Sequence, residues 1–115
     1  MPEISLRAKT VRATAEVVAA RNVTPHMRRV TIGGPEVAAI LSVEGMAMPA
    51  AWVKVFLPTG EGRAYTVRSI DRARGTLDMD FVLHDHGEGG AGPASAWARQ
   101  ATRGERIGIA GPRSG

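Results

Sequence analysis

The chain contains no cysteine among its 115 residues. That excludes disulfides, thiolate metal centres, iron–sulfur clusters and cysteine nucleophiles. It accords with a cytoplasmic protein, and that is the expected location. Aromatic residues are scarce too, at two Trp, one Tyr and two Phe. The core must therefore be built mainly from Val, Ile, Leu, Met and Ala. No apolar run approaches the length of a membrane span. The opening "MPEISLRAKTVRATAEVV" lacks the apolar centre of a secretory signal. Acidic residues are outnumbered, 11 against 15 Lys and Arg, which leaves a net charge of +4. That balance suits a polyanion: nucleic acid, an acidic membrane surface or a phosphorylated cofactor. It would equally serve solubility alone.

What is present fits one small domain. A chain of this length buries roughly two-thirds of its unfolded surface, enough for a core without staples. Apolar residues make up 43%, so the composition is not that of a disordered chain. Residues 1–13 are expected to form a flexible N-terminus, and 14–115 the folded domain. Strands are predicted over Thr14–Arg21 and Met27–Ile32, broken apart by Pro25. "GGPEVAAILS" reads as one or two helical turns, with Pro35 at the first position and Val37, Ile40 and Leu41 at helical spacing. Trp52–Pro58 alternates as a strand and stops at Pro58 and "TGEG". "GRAYTVRSID", Gly62–Asp71, follows as a further strand. Thr76–His84 has the cleanest period of two: Leu77, Met79, Phe81 and Leu83 on one face, Asp78 and Asp80 on the other. "PASAWARQA" reads as a short helix and "GERIGIAGP" as the last strand. About six strands joined by short turns favour antiparallel pairing and a Greek-key barrel.

Four groups of residues invite a chemical reading. "GEGGAG", Gly87–Gly92, matches the glycine spacing of a dinucleotide-binding turn. The antiparallel surroundings argue against that fold, and Glu105 stands before the next strand rather than at its end. The helix start at Gly92-Pro93-Ala94-Ser95 still offers free N–H groups to an anion, or is capped by water. In the Gly62–Asp71 strand, alternation puts Arg63, Tyr65 and Val67 on one face and Ala64, Thr66 and Arg68 on the other. An arginine fork suits phosphate and a tyrosine ring suits another ring. The same residues would serve an ordinary half-solvated strand. His84 and His86 share a strand face but lack a convincing third ligand, so no metal site is expected. Asp78 and Asp80 read as a solvated face.

Three segments in order, "RAYTVR", "LDMDFVLH" and "GPASAWA" with a trailing "GERIGIAGP", closely resemble the FAD-binding domain of the siderophore-interacting protein family. "TPHMRRVTIGG" is also similar to that family's second strand. The resemblance implies a six-stranded antiparallel Greek-key β-barrel of ferredoxin-reductase type, mainly β with one or two short helices. It implies FAD as cofactor and ferric-siderophore reduction as the activity. By position, Arg63 would bind the pyrophosphate. Tyr65 would lie against the isoalloxazine or ribityl chain, and Thr66 near the reactive nitrogen. Val67 and Arg68 would add backbone or electrostatic contacts. His84 would close over the cofactor, while Gly92, Ala94 and Ser95 would present N–H groups to the pyrophosphate. Trp97 is expected in the core or supporting the adenine. No residue is expected to be catalytic in its own right. Family members continue into an NAD(P)H-binding domain, which these 115 residues do not include. Electrons would then come from that domain or a separate donor, and a homo-oligomer could cover the surface it leaves. Two alternatives stand beside this reading. One is a truncated, non-catalytic interaction module; the other is a small basic barrel holding single-stranded nucleic acid, which wants several exposed aromatics.

Overall fold

The structure, a computed structural model, describes residues 11–41, 51–58, 60–83 and 93–113. Strand β1 runs over Val11–Thr24 and β2 over Met27–Gly33. Helix α1, Pro35–Leu41, follows at once. Then come β3 (Trp52–Phe56), β4 (Gly62–Thr66), β5 (Ser69–Asp71) and β6 (Thr76–Val82). Helix α2, Pro93–Gln100, precedes β7, Arg106–Arg113.

All strands among the described residues join one sheet of seven, in the order β4-β3-β7-β1-β2-β6-β5, and every neighbouring pair is antiparallel. The expected all-β antiparallel architecture with two short helices is therefore what forms. Two details differ. Among the described residues there are seven strands rather than six, because the stretch Gly62–Asp71 divides into β4 and β5. The barrel is also not closed by a ladder, since β4 and β5 are the two ends of the sheet.

Those ends are consecutive in the chain. Only Val67 and Arg68 separate them, and their amides point to opposite parts of the sheet. The Val67 N–H donates to the Ala51 carbonyl at 2.9 Å, just before β3. The Arg68 N–H donates to the Asp78 carbonyl of β6 at 2.8 Å. Two hydrogen bonds thus stitch the curled sheet where a full ladder is missing. A buried amide needs such a partner, and a strand crossing between sheet ends can find one on each side.

The core lies inside this curl. Leu77, Met79, Phe81 and Leu83 are buried, as the period of two requires, together with Val17, Val30, Ile32, Val53, Val55 and Ile109. Val37, Ile40 and Leu41 of α1 close one part of it, and Trp97 and Ala98 of α2 another. Each fully buried branched or aromatic side chain contributes about 1.5–3 kcal/mol of transfer energy. The β3–β4 hairpin turns through Gly60, whose φ of 96° suits glycine. The Leu57 N–H donates to the Glu61 carbonyl across it at 2.8 Å.

Asp78 and Asp80 face outward, as alternation predicts, but they do more than meet water. Asp78 accepts from the Thr31 hydroxyl at 2.6 Å and the Ser69 hydroxyl at 3.0 Å. Asp80 takes a bidentate pair from Arg29, at 2.7 and 3.0 Å. Side chains thereby tie β2, β6 and β5 together on the outer surface.

Candidate functional site

The residues from Arg63 to Arg68 run off β4 and cross to β5, and alternation survives the crossing. Tyr65 and Val67 pack against the core; Ala64, Thr66 and Arg68 are exposed. The Tyr65 ring lies on Phe81 of β6, with centroids 4.2 Å apart and planes inclined by 39°. Phe81 also meets Trp97 of α2, at 5.5 Å between centroids. A row of three rings thus links β4, β6 and α2. Such tilted pairs are worth about 0.5–1.5 kcal/mol each beyond burial.

Trp97 is fixed at its other end. Its indole N–H donates to Glu105 Oε2 at 3.0 Å, and Glu105 Oε1 accepts the Thr102 N–H at 3.2 Å. The place before β7 that makes Glu105 unsuitable as a ribose-binding acid is what lets it reach back to Trp97. Trp97 is accordingly a core residue, one of the two expectations for it.

Arg63 stands opposite Val55 on β3, at the end of the sheet, with its side chain 49% exposed. Its guanidinium meets Glu61 at 3.2 Å. An open pair of this kind is worth about 0.2–1 kcal/mol, so a phosphate can displace the carboxylate at small cost. Burial pushes the Tyr65 hydroxyl pKa up, while the Arg63 cation pulls the other way. The phenol is therefore neutral at physiological pH and can donate a hydrogen bond. Thr66, next in the strand, is exposed on the opposite face.

Val67 and Arg68 have both amides committed to Ala51 and Asp78, so neither N–H is available to a ligand. The Arg68 side chain lies on the outer surface, with Nε 3.5 Å from Asp80 Oδ2. Ala94 and Ser95 are the second and third residues of α2, half-buried and buried respectively. The first turn of α2 carries no acidic residue, so no carboxylate of that turn opposes an anion. His84, His86 and the glycine run through Gly92 lie outside the described residues.

Sequence reasoning missed Phe81 as the bed for Tyr65 and Asp80 as the partner of Arg68. The period of two marks Phe81 as buried, but nothing local names the ring it meets. Among the described residues no His, Asp and Glu cluster could hold a metal. Of the other aromatics, Phe56 lies under the Arg12 guanidinium at 4.2 Å. No helix among the described residues is long and apolar enough to cross a membrane.

The arrangement thus offers an exposed guanidinium, a braced aromatic ring and a hydroxyl within four residues. This donor set fits a flat ring system carrying a phosphate tail. Comparison with known proteins names that class of ligand. The model of the siderophore-interacting FAD-binding domain matches residues 16–64 and 59–115. The chain belongs to that family. Its cofactor is FAD, and its fold is that of the ferredoxin-reductase-like flavin domains.

Among curated relatives, the chain is similar to the mycobactin import ATP-binding/permease protein IrtA of Mycobacterium tuberculosis. Identity is 37%, over 84% of this chain and 11% of IrtA. It is also similar to the ferric vibriobactin reductase ViuB of Vibrio cholerae, 44% identical over 44% of this chain and 17% of ViuB. A solved siderophore utilization protein from T. fusca superposes with a TM-score of 0.70 at 32% identity, covering 91% of this chain and 46% of that one. This FAD-binding domain therefore spans less than half of each of these relatives.

Proposed function

We propose that this FAD-binding domain is the flavin-carrying part of a ferric-siderophore reductase. Arg63 holds the pyrophosphate, exchanging Glu61 for it. The start of α2, with Gly92, Ala94 and Ser95, supplies N–H groups to the same anion. Tyr65 gives the flavin a ring face that cannot swing away, because Phe81 braces it from behind. Thr66 places a hydroxyl at the edge of the ring, and His84 closes over the cofactor. FAD, when bound, would supply the chemistry of hydride acceptance and one-electron transfer to ferric iron. Iron(II) is held weakly by such chelators, so its formation releases the metal. The hydride would come from NAD(P)H on a further domain or a separate protein.

The observation that carries this reading is the braced Tyr65 between an exposed Arg63 and an exposed Thr66. The likeness to a ferric vibriobactin reductase supports the choice of substrate. The test is direct. The protein loaded with FAD and chemically reduced without oxygen is mixed with a ferric siderophore, and an iron(II)-specific chelator is present. Rapid reoxidation of the flavin with stoichiometric iron(II) is expected. A reduced flavin that persists beside several ferric siderophores would defeat the proposal.

A further inference from the structure

The second arginine of "RAYTVR" has no obvious task at the flavin. Its amide is used within the sheet, at 2.8 Å from the Asp78 carbonyl. Its guanidinium reaches Asp80 on the outer surface, at 3.5 Å. Asp80 is itself held by Arg29 through two hydrogen bonds, which anchors it to β2 as well as β6. Asp80 and Phe81 are adjacent on β6, so their side chains leave the strand on opposite faces. Tyr65 lies on Phe81 from inside, and Arg68 meets Asp80 from outside. The short crossing between the two sheet ends is thus fastened to one strand from both sides.

This arrangement has a consequence for the site. The β4 and β5 strands share no ladder, so the path of residues 65–68 depends on a few contacts. Tyr65 and Thr66 stand at its start. If the crossing drifts, the ring face and the hydroxyl drift with it.

We propose that Arg68 is a positioning residue: it acts through Asp80 to fix the Val67–Arg68 crossing, so that Tyr65 and Thr66 meet the flavin ring, and it does not bind the cofactor's phosphates. The proposal rests on the flavin reading of Tyr65 and Thr66 above.

Two measurements on the full chain test it. The first needs no flavin. Arg68→Ala and Asp80→Asn each accelerate amide hydrogen exchange at residues 67 and 68, and Arg68→Ala adds nothing in the Asp80→Asn background. Unchanged exchange in Arg68→Ala, or fully additive acceleration, overturns the coupling. The second compares FAD with riboflavin, which has the ring but no phosphate. Arg68→Ala weakens both by the same factor, about two- to fivefold, the scale of an exposed ion pair. A loss with FAD alone makes Arg68 a phosphate ligand and ends the proposal. Arg63→Ala is the reference, with its loss confined to FAD. A failure of that reference would strike the phosphate assignment of Arg63 and leave the exchange result on Arg68 intact.

Discussion

The Tyr65 ring rests on Phe81 with 4.2 Å between centroids, so the only tyrosine of the chain is held by the core. Phe81 is in turn buried between Tyr65 and Trp97. Phe81→Ala should cost about 3–5 kcal/mol of stability, the range for a large aromatic removed from a packed core. Denaturant unfolding measures this. FAD affinity should fall in the same variant, since Tyr65 loses its support. A fully stable Phe81→Ala protein would contradict the packing described.

Because there is one tyrosine, its ionisation can be followed by phenolate absorbance without assignment. Burial raises the Tyr65 pKa above its ordinary 10.0, against a smaller opposing pull from Arg63. The neutral phenol is thus favoured by folding. Its contribution is complete below the unfolded value and is lost as pH rises through the higher folded one. Arg63→Ala removes the opposing pull, so the titration should move further up. An unchanged titration would place Arg63 away from the ring.

Glu61 and Arg63 provide a paired test of the phosphate site. Arg63→Ala should weaken FAD binding by about 1–3 kcal/mol, the worth of hydrogen bonds from a charged donor. Glu61→Gln should tighten it slightly, by up to about 1 kcal/mol, because the arginine is released from an exposed pair. Flavin fluorescence titration reads both. Equal affinities in all three proteins would remove Arg63 from the site.

Asp80 sets a dependence on acid. Hydrogen bonds from Arg29 are the largest cause of a carboxyl pKa below the ordinary 3.8, with charge from Arg29 and Arg68 adding to it. A lowered carboxyl pKa stabilises the fold above the unfolded value and loses that effect as pH falls through the folded one. The stability gap between the natural protein and Asp80→Asn should therefore be flat from about pH 7 to 5 and shrink below about pH 4. A gap that persists at low pH would mean that the ionised carboxylate is not what matters.

Gly111 of β7 is tightly approached by the buried Val53. A Cβ at Gly111 would come within 2.7 Å of the Val53 Cγ1 and 3.2 Å of its Cβ. Gly111→Ala should cost about 1–3 kcal/mol through overpacking, measured by the shift in unfolding midpoint. Retained stability would show that β3 and β7 can part at little cost.

The alternation of Leu77, Met79, Phe81 and Leu83 was legible in the chain because strand geometry sends each side chain to a fixed face. The turn at Pro25 and the helix opened by Pro35 were legible for the same reason: they depend on backbone restrictions of single residues. The facing of Arg63, Tyr65 and Thr66 could also be read, since it follows from periodicity alone. The break of Gly62–Asp71 into two strands could not. It exists because Val67 and Arg68 find amide partners in different parts of a curled sheet.

The roles of the charged residues divide in the same way. Residue type and spacing determined which groups this chain could offer a flavin: a guanidinium, a ring and a hydroxyl in succession. Only the tertiary structure decided their partners: Arg63 pairs with Glu61 of its own hairpin, while Arg68 reaches Asp80 on another strand. It also decided that Tyr65 is braced by a ring from another strand. Local geometry fixes the face on which a side chain leaves its strand. What that side chain then meets depends on register and curvature, which are set by the whole sheet.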